Sequence, residues 1–191
     1  MSWYQTRPSL SLKLIQETRI GKGEGIIDVG GGASALVDCL PNDGYRKLAV
    51  VDISVAAIQY EKARLGQRAS SVEWYEADVT KFRSPRRLAI WHDRAVFHFL
   101  TNPVDRMGYV RVLTETLNPD GHLVIATFAL DGPPKCSGLD VMRYDAELLS
   151  SEIGERFALL DTQDETHTTP WGTEQKFKYC RFQKRSSTCS S

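Results

Sequence analysis

Apolar runs broken by glycine, proline and acidic residues organise this chain. Five of them read as strands: Gly25 to Val29, Lys47 to Val51, Ser71 to Glu76, Arg87 to Trp91 and His122 to Phe128. Buried parallel strands read as near-continuous apolar runs, and Ser71 to Glu76 alternates enough to sit nearer an edge. Helical patterns fill the gaps. Pro8 to Ile20 carries a partial stripe of Leu10, Leu14 and Ile15, with Pro8 suited to an early turn and Gly21 to the stop. A second helix spans Ala33 to Leu40 and ends in the turn cluster Pro41-Asn-Asp-Gly44. Ser54 is an N-cap for a third, which runs to Gly66. Asn102-Pro103 opens a fourth, where Met107, Val110, Leu113 and Leu117 recur at helical spacing until Asn118-Pro-Asp-Gly121. Beyond the loop Asp131-Gly-Pro-Pro134, a helix at Asp145 to Ile153 precedes two strands, Phe157 to Asp161 and Glu174 to Phe182. Their short connection makes that pair antiparallel.

This order predicts an α/β fold: a doubly wound, mostly parallel seven-stranded sheet ordered 3-2-1-4-5-7-6, with helices on both faces. The 191 residues fit one Rossmann-like domain over 1–184, with 1–20 as an N-terminal helix and lid. The polar, small residues 185–191 read as a disordered tail.

Composition narrows the function classes. Lys plus Arg equals Asp plus Glu, 24 each, which argues against a nucleic-acid binder held by bulk charge. The basic run Lys81 to Arg87 reads as a solvated loop. Cysteines 39, 136, 180 and 189 form no Cys-x-x-Cys pair and no metal-like spacing with histidine. No signal-peptide core and no apolar run of about 20 residues is found, so a cytoplasmic protein without metal or membrane partner is expected.

The chemistry concentrates at strand ends. Asp28 precedes Gly30-Gly31-Gly32, Asp52 follows the second strand, and Asp78 follows the third. Open α/β sheets bind ligands outside the carboxyl ends of their strands. Three carboxylates and a glycine turn on one rim describe a pocket for a nucleoside that carries a cation. S-Adenosylmethionine is such a ligand. Asp28 suits its ammonium, Asp52 the ribose hydroxyls and Asp78 the adenine amino group, with Ile53 and Val79 packed beside them. The spacing Gly30-x-Gly32-x-x-Ala35, with Asp52 twenty residues on, also satisfies the dinucleotide fingerprint. An NAD-dependent reductase needs a Tyr-x-x-x-Lys pair or a second domain, and neither is evident. The alternative reading of each Asp is a plain turn residue.

Ile26-Ile-Asp-Val-Gly-Gly-Gly32, Val51-Asp52, Ala77-Asp78 and Leu117-Asn-Pro-Asp-Gly-His-Leu123 resemble the ordered motifs of class I S-adenosylmethionine-dependent methyltransferases. Ser34 stands where that family commonly has a further glycine. Trp91-His-Asp-Arg-Ala95, with Arg106, Tyr109, Asp120-Gly121 and Gly132-Pro-Pro134, is similar to the thiopurine and thiol methyltransferase branch, with Ala95 in place of a glycine. The resemblance implies S-adenosyl-L-homocysteine as product. It also places His92 and Asp93 near the sulfonium, as cofactor contact or catalytic residues, and Arg94 beside the acceptor.

Methyl transfer from a sulfonium is an in-line displacement in which positioning supplies about 7–11 kcal/mol. A base is needed only for an acceptor that arrives protonated, and His92 and His98 are the titratable candidates. Packed-core roles are the alternative for both. Trp3 and Tyr4 either close over the ligand as a lid or pack on the first helix. Arg143 and Tyr144 are candidate acceptor-wall residues. The expected acceptor is a small molecule with a thiol or other soft nucleophile. A protein-lysine methyltransferase and a non-catalytic cofactor-binding module are the rivals.

Overall fold

The computed structural model describes residue 5, residues 7–169 and residues 172–186. Among the described residues, nine strands appear in chain order: β1 (Gly25–Val29), β2 (Lys47–Asp52), β3 (Val72–Glu76), β4 (Leu88–Arg94), β5 (Leu117–Phe128), β6 (Lys135–Cys136), β7 (Leu139–Asp140), β8 (Phe157–Thr168) and β9 (Glu174–Lys184). The helices are α1 (Ser9–Glu17), α2 (Leu36–Cys39), α3 (Val55–Leu65), α4 (Pro103–Thr116) and α5 (Ala146–Ile153).

Seven strands form one sheet in the order β3-β2-β1-β4-β5-β9-β8. The first five run parallel, and β9 is antiparallel to both β5 and β8. The numbers differ from the expected 3-2-1-4-5-7-6 because the short hairpin β6–β7 intervenes, and the sequence pattern did not reveal it. Because successive strand residues face opposite sides, the sheet splits its apolar residues between two cores. Ile26, Leu48, Val50 and Ile90 pack with Leu14 and Ile15 of α1 and Leu36 of α2. Ile27, Ala49, Val51 and Trp91 pack with Tyr109 and Leu113 of α4 and Leu149 and Ile153 of α5.

The helix caps follow the sequence. Ser54 Oγ accepts from Ala57 N–H at 3.2 Å, Asn102 Oδ1 from Val104 N–H at 3.0 Å and Asp145 Oδ1 from Leu148 N–H at 2.8 Å. Other boundaries moved. The helix expected from Ala33 to Leu40 is a 3-10 turn, Gly31–Ala33, followed by the short α2. The turn cluster Asn118 to Gly121 lies inside β5, where Asp120 adopts φ +61° and the pairing with β4 shifts between Leu88 and Ile90. Strand β4 extends three residues past Trp91, through His92, Asp93 and Arg94. Strand β8 continues seven residues past Asp161, to Thr168.

Candidate functional site

The glycine turn leaves β1 through Gly30, which sits at φ +68° and donates its N–H to Val51 O at 2.8 Å. All three glycines are sterically required. A Cβ on Gly30 would lie 2.2 Å from Val96 Cγ2, one on Gly31 2.6 Å from Asp28 Oδ2, and one on Gly32 2.7 Å from Asp52 Oδ2. Ser34 has φ −99°, a conformation open to any residue, and its Oγ accepts from Leu36 N–H. The glycine that the methyltransferase pattern commonly shows there is therefore not needed for backbone reasons. Ala95 is the opposite case. Its φ is +71°, in the left-handed region that favours glycine.

Asp52 braces the turn. Its Oδ2 accepts from Gly32 N–H at 3.0 Å and its Oδ1 from Ser54 N–H at 2.8 Å. Each oxygen keeps a second lone pair for a ligand. Asp78 organises its own loop, where Oδ1 accepts from Thr80 N–H and Thr80 Oγ1–H at 2.9 and 2.7 Å. The Thr80 hydroxyl holds this carboxyl below its usual range. The plain turn role and a ligand role coexist at both residues.

These ends enclose a cavity of about 380 Å³. Gly30, Asp52, Ile53, Asp78, Val79 and Arg94 line it, all expected from the sequence. Val96, Phe99 and Leu100 complete its apolar wall. The packed-core alternative describes Phe97 and His98, which are buried, while Phe99 and Leu100 line the cavity. Ile53 is 73% exposed at the rim.

Of the other predicted residues, Gly31, Gly32, Asp28, His92, Asp93 and His98 are buried and do not line this cavity. Asp28 is buried, with Oδ1 2.7 Å from His92 Nδ1 and Oδ2 without a hydrogen-bond partner. His92 and Asp93 were expected together at the transferred methyl, and strand alternation separates them onto opposite faces of the sheet. His92 turns towards α1, where Nε2 lies 2.9 Å from Ser11 Oγ. Asp93 turns towards α4. It accepts from Tyr109 Oη–H at 2.6 Å and from the N–H groups of Val96 and Phe97. Tyr109 Oη also accepts from Trp91 Nε1–H at 2.8 Å. Neither His92 nor Asp93 lines the cavity, and they are 2% and 0% exposed. Burial pushes the Asp93 carboxyl up to about 6, against the pull of Tyr109 and Val96.

His98 is likewise sealed. Its Nδ1 accepts from Phe128 N–H at 3.2 Å, and burial lowers its pKa to about 3. That geometry gives it no base role at the cavity, a correction to the sequence reading. Tyr144 is buried against Phe97, and Arg143 is exposed, bonding Gly132 O at 3.3 Å. Neither lines the cavity. Trp3 and Tyr4 lie outside the described residues. Arg94 reaches back from the wall, with Nε donating to Tyr179 Oη at 2.8 Å and Nη2 lying 3.2 Å from Glu165 Oε2.

The residues present fit S-adenosylmethionine. Asp28 carries a buried oxygen without a hydrogen-bond partner, and it lies against the glycine turn, at the position a Cβ on Gly31 would crowd. Two carboxylates stand at successive strand ends, and an apolar wall suits a purine ring. Sheet order, glycine turn and acidic strand ends together define the class I methyltransferase architecture.

Comparison with known proteins agrees. The family model for nodulation protein S (NodS) matches residues 2–130, and the chain belongs to the NodS family, a family of S-adenosylmethionine-dependent methyltransferases. No curated protein sequence matches it significantly. Among solved structures, the chain is similar to N-methyltransferase NodS from Bradyrhizobium japonicum WM9. That match has 16% identity and a TM-score of 0.74, covering 93% of this chain and 96% of that one. The same enzyme has been solved with S-adenosyl-L-homocysteine. It is also similar to the 1,6-didemethyltoxoflavin-N1-methyltransferase of Burkholderia thailandensis, at 18% identity and TM-score 0.72, covering 94% and 78%. The glycopeptide N-methyltransferase MtfA with S-adenosylhomocysteine matches at 9% identity and TM-score 0.72, covering 96% and 92%. At these identities the structures establish the fold.

Proposed function

We propose that this protein transfers a methyl group from S-adenosylmethionine to a nitrogen nucleophile on a small molecule. The observation that carries the reading is the cavity lined by Gly30 of the glycine turn and by Asp52 and Asp78. When bound, the donor supplies an electrophilic methyl on a sulfonium that leaves as a neutral thioether. The chain's own residues bind and orient. Asp52 takes the ribose hydroxyls with its spare lone pairs, and Asp78 with the Val79 backbone takes the adenine edge. Ile53 and Phe99 cover the ring, and Asp28 takes the ammonium through its free oxygen, directly or through water.

Among the described residues, the cavity wall carries no histidine. Catalysis then rests on alignment and exclusion of water, and the attacking nitrogen arrives unprotonated. Nitrogen is preferred over the thiol that the motif resemblance implied because NodS, MtfA and the toxoflavin enzyme, to which the chain is similar, are N-methyltransferases. The buried thiols of Cys39 and Cys180 suit a reducing, cytoplasmic setting.

The test is S-adenosylhomocysteine release against a panel of amines, thiols, carboxylates and lysine peptides, together with calorimetry of the product nucleoside and of NAD. We expect turnover with amines, following the acceptor's own deprotonation as pH rises, and no NAD affinity. Asp52→Ala should weaken S-adenosylhomocysteine binding by ~1.5–3 kcal/mol through lost charged hydrogen bonds. Binding without turnover on any acceptor would convert the reading to a cofactor-binding module.

A further inference from the structure

His92 and Ser11 belong to a buried polar chain that the donor contacts leave unused. His92 Nδ1 lies 2.7 Å from Asp28 Oδ1, and Nε2 lies 2.9 Å from Ser11 Oγ. Ser11 sits on α1 without exposed surface, and its hydroxyl also hydrogen-bonds Tyr179 on β9. Tyr179 Oη accepts from Arg94 Nε–H at 2.8 Å and donates to Glu165 Oε2 at 3.3 Å. The chain thus runs from the end of β1, beneath α1, to Arg94 on the cavity wall. Strand alternation builds it, since His92 and Arg94 are two residues apart on β4 and share the α1 face.

A carboxylate is kept in a protein interior only when it is paired or hydrogen-bonded. His92 satisfies one oxygen of Asp28 and leaves Oδ2 without a partner. That free oxygen is the atom a Cβ on Gly31 would strike, so it faces the glycine turn. His92 therefore decides which oxygen of Asp28 is occupied and which is left for a cation. Ser11, bonded to the far nitrogen, fixes the ring that makes the choice.

We infer that His92 and Ser11 are positioning residues for the donor's ammonium group, acting through Asp28, so that α1 contributes to donor affinity without touching the donor. The inference rests on the donor reading above. A merely structural histidine would change stability without changing donor affinity. A positioning one distinguishes the two amides, because Asn places an N–H near the site of Nδ1 and Gln places one near Nε2.

The experiment is calorimetric titration of S-adenosylhomocysteine into wild type, His92→Asn, His92→Gln, His92→Ala, Ser11→Ala and the double variant Ser11→Ala/His92→Asn. All titrations are made below the lowest melting midpoint. His92→Gln and His92→Ala should each lose about tenfold or more in affinity. His92→Asn and Ser11→Ala should each lose about threefold, and the double variant no more than either, because both remove the same link. His92→Asn as weak as His92→Ala, or multiplying effects in the double variant, overturns the positioning role. Equal affinity across all His92 variants also overturns it while leaving the donor reading intact. A folded wild type that does not bind S-adenosylhomocysteine overturns the donor reading, and the positioning role falls with it. If His92→Gln fails to fold, Ser11→Ala and the double variant decide the matter alone.

Discussion

Gly30→Ala is the sharpest probe of the turn that shapes the cavity. Two separate costs arise from the geometry. Residue 30 has φ +68°, and an L-residue in the left-handed region costs about 1–2 kcal/mol. The new Cβ would also lie 2.2 Å from Val96 Cγ2. Valine is stiff at χ1, so relief requires backbone movement, and such overpacking costs about 1–3 kcal/mol. Alanine returns about 0.4–1 kcal/mol by restricting the unfolded chain. The net expectation is a loss of about 2–4 kcal/mol, or roughly 4–15 °C in Tm for a chain of this size.

The two costs separate in a double-mutant cycle. Val96→Ala deletes Cγ2 and removes the overlap, while the left-handed backbone cost stays. Urea unfolding of the four proteins should give a coupling of about 1–3 kcal/mol in favour of the pair, with the m-value unchanged. Effects that add within about 0.5 kcal/mol would show that Val96 does not meet residue 30. A Gly30→Ala protein as stable as wild type would refute the positive φ itself. Val96 also lines the cavity, so the double variant, although refolded, should still bind S-adenosylhomocysteine poorly.

Two further expectations follow from the same geometry. The methyltransferase-pattern glycine at position 34 brings no benefit here: Ser34→Gly should cost about 0.5–1 kcal/mol, because it loses the Leu36 N–H bond and gains chain entropy when unfolded. Ala95→Gly, at φ +71°, should change stability by less than about 1 kcal/mol, and urea midpoints rank the two. On pH, the native state holds His98 neutral down to about 3, so the unfolded chain binds an extra proton below 6.5 and stability falls with acidification. Asp93, raised to about 6, works the other way: between 3.8 and 6 the native state binds the extra proton and stability rises on acidification. Each slope is about 1.4 kcal/mol per pH unit, so the two cancel over the shared window. His98→Phe should unmask a protein that gains stability between pH 6 and 4, and Asp93→Asn one that loses it. Unchanged slopes would refute the burial of these groups.

Those two residues also mark where the sequence stopped being legible. Apolar runs placed β1, β2 and the His122 to Phe128 part of β5, because a strand covered on both faces can be little else, and alternation placed β3 at the edge. The same runs put Asp52 and Asp78 at strand ends, and the cavity lies there. Strand β4 was cut short at Trp91 because His92-Asp93-Arg94 reads as a loop. A buried polar triplet becomes a strand only when partners are supplied, and those are distant in sequence: Ser11, Tyr109 and Tyr179. The β8 extension was missed for the opposite reason, since its exposed, polar residues Asp161 to Thr168 look solvated whether paired or not.

Alternation then carries the functional consequence. Once β4 is known to continue, period two dictates that His92 and Arg94 share one face while Trp91 and Asp93 share the other. The two faces have different tasks. Asp93, Tyr109 and Trp91 pin the turn that carries Val96 to the cavity, and Arg106 donates to Leu100 O and Thr101 O to fasten the next stretch of wall. His92 and Arg94 tie β1 to α1, β9 and β8. One strand end therefore anchors both sides of the cleft through opposite side chains. A sequence motif of consecutive polar residues at such an end is better read as two interleaved sets than as one catalytic cluster.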